Sequence, residues 1–304
     1  MKKKILFVAF FFILCPFLTT MPLYAASISS FTVSPTSITF ADQDPDLGEV
    51  TSFPSVAVSF SITGLNSNQS WTLDIRANTN LGTIPAGNIR WTVTASGTPT
   101  PTFYNNTLVL GSYVSAGTGP GQSSGLANIT STFYFYLGNY WTYSKRNYSG
   151  TVRLRLAVPG AAAQTRTVTL STNIAARAKL QFGLVIMNFP DAIPDTVPSN
   201  PANVNPLSVT SSARTGSSQT ATLTCLASGD LIAGTNTIAI SNMTWTATGT
   251  GYLPGTMNRT TAQTAGSWTG PGQRMGTFSY FLLNSWSYTV GNYSTSINYT
   301  LTAP

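Results

Sequence analysis

The chain has 304 residues and no histidine, which removes the side chain most often used as a general base or metal ligand. Half of its eight acidic residues fall in one segment, ADQDPDLGE, at Asp42, Asp44, Asp46 and Glu49. Alternating carboxylates in a loop can chelate Ca²⁺, a hard cation that takes several oxygen ligands. Ca²⁺ is therefore the one cofactor the sequence suggests, and a solvated turn stiffened by Pro45 is the alternative. Trp71, Trp141, Tyr143, Trp286 and Tyr288 are of the types that stack on sugar rings and form a candidate ligand-binding set. In the competing reading the Trp side chains fill a core, and Tyr148 and Tyr293 bond back to the backbone as corners before a final strand. The remaining carboxylates, Asp74, Asp191, Asp195 and Asp230, are scattered, where a glycosidase needs a facing pair. With no glycine-rich phosphate loop either, the expectation is a protein that is not an enzyme.

The elements that carry these residues come in two copies. FYFYLGNYWTYSKRNYSGTVRLRLAVP (133–159) matches FSYFLLNSWSYTVGNYSTSINYTLTAP (278–304), pairing Trp141 with Trp286, Tyr143 with Tyr288, Tyr148 with Tyr293 and Pro159 with Pro304. NIRWTVTASG (88–97) matches NMTWTATGTG (242–251), Leu73 matches Leu223, and Pro45-Asp46 matches Pro194-Asp195. Such repetition sets the domain count. Domain 1 is placed at 27–159 and domain 2 at 177–304, with 160–176 (GAAAQTRTVTLSTNIAA) as a linker or an extra strand. Each unit is long enough to bury a core.

The first 25 residues read as a secretory signal: Lys2, Lys3 and Lys4, an apolar run from Ile5 to about Leu18, and small residues at Ala25 and Ala26. The run is short for a transmembrane span, and Cys15 within it raises lipidation as an alternative. Beyond it lie 12 basic and 8 acidic residues, a net charge of +4, with ten of the twelve cations Arg. They are dispersed, only Arg153 and Arg155 sharing a strand face, so no nucleic-acid footprint is expected. Cys225 is the one cysteine after the signal, which excludes an intrachain disulfide and leaves a buried thiol or an intermolecular bond.

Alternation with period two marks strands with one buried face. Val152, Leu154, Leu156 and Val158 alternate with Thr151, Arg153, Arg155 and Ala157; Ile297, Tyr299, Leu301 and Ala303 alternate with Ser296, Asn298, Thr300 and Thr302. Similar runs occur at 55–63, 71–77, 89–95, 107–115, 166–172, 219–226 and 243–248. Charged residues make up 8% of the chain, and Thr, Ser and Asn take their place, as suits exported β proteins. The expected fold class is all-β: two tandem antiparallel Ig-like β-sandwich domains after a signal peptide.

Trp71-Thr72-Leu73 in SWTLDIRA, the glycine-rich GTGPGQSSG, and the ends NYSGTVRLRLAVP and NYSTSINYTLTAP resemble the WxL domains of Gram-positive cell-surface proteins. The second copy differs, with Ala221-Thr222-Leu223 in place of the Trp motif. The turn before each last strand is also similar to that of spore-coat-U-type pilin domains. The WxL resemblance implies non-covalent attachment to peptidoglycan. The functional expectation is an exported, secreted or envelope-associated surface protein that binds cell wall peptidoglycan or another surface glycan. The alternative is a structural subunit of a surface fibre or coat, with itself or other surface proteins as partners through strand addition.

Overall fold

In the computed structural model, residues 25–122 and 125–304 are described; the signal-peptide reading of 1–25 otherwise lies outside them. Domain 1 contains β1 (Ser27–Ser34), β2 (Ser37–Phe40), β3 (Val50–Phe53), β4 (Val56–Thr63), β5 (Ser70–Ala77), β6 (Ile89–Thr98), the short β7 (Thr102–Phe103) and β8 (Asn106–Thr107), then β9 (Val114–Pro120), β10 (Leu126–Leu137), β11 (Arg146–Ala157) and β12 (Gln164–Ile174). Domain 2 contains β13 (Arg177–Phe182), β14 (Ser199–Pro201), β15 (Leu207–Arg214), β16 (Thr220–Ala227), β17 (Leu231–Ala233), β18 (Asn236–Ile238), β19 (Met243–Thr248), β20 (Gly255–Thr256), β21 (Gln263–Thr269), β22 (Gly272–Leu283) and β23 (Ile297–Thr302). The only helical pieces among the described residues are three single 3₁₀ turns, one of them Pro45–Leu47 in the acidic segment. The chain is all-β, as its alternation predicts.

In domain 1 the ladder runs β1-β4-β10-β3-β2-β12-β11-β5-β9-β7 and folds over between β3 and β2 into two facing layers; β6 pairs with the other edge of β10. The inward positions form one core that includes Phe31, Phe60, Trp71, Trp91, Phe133 and Leu154. Residues 164–174 are not a linker: β12 pairs antiparallel with β11 from Arg146↔Ile174 to Leu156↔Gln164, and parallel with β2. Its own alternation explains this, since Val168, Leu170 and Ile174 are buried in the domain 1 core.

Domain 2 has a separate core around Trp245, Phe278 and Tyr280. One sheet runs β13-β15-β22-β19-β20, with β14 also on β22; a second has three strands, β21-β16-β23, and β17 and β18 form a separate two-stranded ladder. The repeat survives in detail. Trp91 Nε1 donates to Tyr104 O (3.0 Å) and Trp245 Nε1 to Leu253 O (2.8 Å). The lost Trp motif has moved rather than vanished. Trp71 on β5 faces Gly119 on β9, and a Cβ on Gly119 would come within 2.7 Å of the indole. In domain 2 the same cross-strand pair is Ala221 facing Trp268. Large and small have exchanged strands to fill one volume.

Candidate functional site: an open strand edge in domain 2

The two copies differ most at the last strand of each sandwich. In domain 1, β11 is paired on both sides, by β5 and β12. In domain 2, its counterpart β23 pairs with β16, and its other edge carries no strand among the described residues. The segment matching β2, residues 186–189, forms no strand either. The position between this segment and β23 that β12 fills in domain 1, the domain 2 groove, holds no strand among the described residues.

Burial follows the pairing. Leu154, Leu156 and Val158 on β11 and beyond it are at most 5% exposed, and on the opposite wall Phe31, Ile38 and Phe40 are at most 2% exposed. Their domain 2 counterparts Tyr299, Leu301, Ala303, Leu180, Met187 and Phe189 are only partly buried against their core. Just outside the groove, Leu184, Val185 and Ile186 are 51%, 92% and 74% exposed. An apolar wall and an unpaired backbone edge side by side form a template for another strand. Behind β23, in the core, the hydroxyls of the fully buried Tyr280 and of Tyr299 bond each other, and burial raises both above the ordinary tyrosine range. Burial also raises the Cys225 thiol to about 11, so at neutral pH it is a protonated, apolar part of the core.

The sequence-derived candidates fall into three places. Trp71 is fully buried between Phe60 and Phe103, and Trp141 and Tyr143 are 9% and 7% exposed, so none of these three offers a ring face to a sugar. Both tyrosine corners are formed: Tyr148 donates to Ser144 O and Tyr293 to Thr289 O, each at 2.8 Å. Tyr143 and Tyr288 accept from Asn88 and Asn242 respectively, at 2.8 and 2.9 Å. Trp286 keeps the bond its counterpart makes, donating to Asp195 as Trp141 donates to Asp46. It is nevertheless 69% exposed, in the less covered domain.

The acidic segment lies where the domains meet. Asp42 accepts from Arg177 (2.8 Å) and from Arg214 (3.1 Å); Asp46 pairs with Lys179, which together with Trp141 holds its carboxyl below the usual carboxylate range. Asp44 caps the 3₁₀ turn and Glu49 forks onto Arg90. Arg214 is wholly buried and also donates to Gln43 O, Asn139 and Tyr140 O. The four carboxylates thus diverge toward separate partners, and no cluster of three or more metal-ligating side chains occurs among the described residues. Arg214 has no signal in the sequence that ties it to Asp42, which lies 172 residues away.

No family model and no curated protein matches the chain in sequence, so the WxL resemblance gains no support. Solved structures with a similar course include a chaperone–tip adhesion subunit pre-assembly complex from archaic chaperone-usher Csu pili of Acinetobacter baumannii (10% identity, 90% of this chain and 99% of that one, TM-score 0.33). Others are the CooA pilin subunit of enterotoxigenic Escherichia coli (10% identity, 48% and 98%, TM-score 0.27) and the CupB6 tip adhesin of Pseudomonas aeruginosa (7% identity, 92% and 94%, TM-score 0.29). At these scores the likenesses assign no function.

Proposed function

We propose that this chain is a non-enzymatic, exported subunit of a bacterial surface fibre or adhesin, and that domain 2 accepts an extended strand from a protein partner. One observation carries this: β23 has an unpaired edge beside the partly buried Met187 and Phe189, at the position that β12 fills in domain 1. Domain 1 supplies the template for the occupant. A strand antiparallel to β23 and built like β12 would place apolar residues at alternate positions, as Val168, Leu170 and Ile174 do. The non-enzymatic part is supported by the lack of histidine and by carboxylates already tied to cations, Asp74 to Arg155 and Asp230 to Arg259.

The test uses the match of Pro159 with Pro304. Extending the chain beyond Pro304 with a copy of residues 160–174 should let the added strand close the groove from within. The extended protein is expected to run as a monomer and to unfold with domain 2 at higher temperature; the unextended one should form concentration-dependent oligomers. A strand that fills the site to a hundredfold excess over its Kd stabilises by about 2.7 kcal/mol. Identical sizing profiles and transitions for the two chains would rule out strand acceptance.

A further inference from the structure

We propose that the outer face of domain 1, where β5 pairs with β11, binds an anionic glycan through Arg76 and Arg153. The register sets these two arginines directly opposite each other, with Asp74 opposite Arg155 two pairs along, on the same face. Asp74 is taken by Arg155 (3.1 and 2.7 Å). The ring of Tyr113 lies between Arg76 and Arg155, with guanidinium carbons 4.6 and 4.1 Å from its centroid. Arg76 donates Nε to Asn78 and Nη1 to Gly111 O, both neutral acceptors. Arg153 has no hydrogen-bond or ion-pair partner among the described residues, and its Nε is shielded from water without an acceptor.

This face therefore carries three guanidinium groups and one carboxylate, which Arg155 alone engages. Like charges placed opposite each other on a sheet are destabilising, and an N–H cut off from water without an acceptor adds to the cost. The fold does not require this arrangement. In domain 2 the same four positions are Thr224 opposite Thr300 and Leu226 opposite Asn298, and the sheet forms without any charge there. An anion with two or more oxygens, seated between Arg76 and Arg153, would satisfy the free donors in fork geometry. The surround selects the class of ligand. The face is open sheet edged by Thr151, Thr165 and Thr167, so it suits a hydroxyl-rich chain lying across it. It offers no apolar wedge for a lipid surface, and its small charge excess is too weak for a nucleic-acid backbone. The ligand group is a sulfate or carboxylate on a sugar. The face lies in domain 1 and does not include β23, so this site and the groove succeed or fail separately.

The experiment is titration of the chain from residue 26 to 304 with heparin oligosaccharide, oligogalacturonate and neutral dextran at physiological salt. Variants are Arg153→Asn with Arg76→Leu, which install the domain 2 residues, and Arg259→Gln as a charge control elsewhere. Saturable binding of either polyanion, weakened about tenfold by the double variant and little changed by Arg259→Gln, supports the site. Heparin preference would identify sulfate and galacturonate preference carboxylate. The proposal is overturned by no saturable binding, by equal losses in the double variant and the control, or by duplex DNA binding as tightly with the same sensitivity. Unchanged thermal transitions of the variants exclude misfolding as the cause.

Discussion

Domains 1 and 2 share a strand plan, a pair of tyrosine corners, a pair of Trp–carboxylate bonds and a pair of indole-to-carbonyl bonds. They part where β12 closes one sandwich and nothing among the described residues closes the other. The two final strands read alike, apolar residues alternating with polar ones, yet their inward side chains are fully buried in one domain and half-buried in the other. Alternation thus encodes which face of a strand points inward. Whether that face is sealed depends on the next strand along the edge, and this can come from the same chain or from another one.

The largest effect is expected where the two domains are joined. Arg214→Ala removes a fully buried guanidinium that ties β15 to Asp42 and to the 139–140 turn of domain 1. It strands buried acceptors, and a loss of about 3 kcal/mol is expected. Calorimetry should then resolve two transitions where coupling had merged them. An unchanged thermogram would mean that the domains fold independently of this junction.

A matched pair of substitutions sharpens the comparison itself. Leu156 and Leu301 occupy equivalent places, the first fully buried and the second partly so. Leu156→Ala should cost about 2–5 kcal/mol, and Leu301→Ala distinctly less, because water already reaches its site. In the chain extended by residues 160–174, the cost of Leu301→Ala should rise toward that of Leu156→Ala. Equal costs in the unextended protein would show that the groove is closed in solution.

Much of this architecture was legible in the sequence. The repeat, the all-β class and the corners at Tyr148 and Tyr293 follow from spacing and alternation alone. β12 was legible only in part: TRTVTLST alternates, but the preceding Gly-Ala run resembles a linker, and only pairing with β11 and β2 decides its place. Trp71, a candidate for sugar stacking, is core because β9 opposes it with Gly119, and Trp268 opposite Ala221 shows the same volume filled from the other strand. The acidic segment looked like a cation loop because its partners Arg177 and Arg214 lie 135 and 172 residues away. The groove was least legible, since it is defined by the absence of a neighbour, which no residue records.

Alkaline titration gives the mildest contrast between the domains. Domain 2 buries Cys225, whose thiol rises from 9.0 to about 11, together with the Tyr280–Tyr299 pair, both raised by burial. Domain 1 has Tyr143, raised to about 12. Each group is neutral when protonated, so the folded state keeps a proton that the unfolded state releases at lower pH. Stability from these groups is then complete below the unfolded value and is lost as pH climbs through the folded one. Domain 2 should begin to weaken near pH 9, ahead of domain 1, and its transition should fall by a few degrees by pH 11. Cys225→Ala should delay that onset toward the tyrosine range. If the domain 2 transition stays level from pH 8 to 11, the thiol and the tyrosine pair are hydrated in the open groove, and its wall is less apolar than its residues suggest.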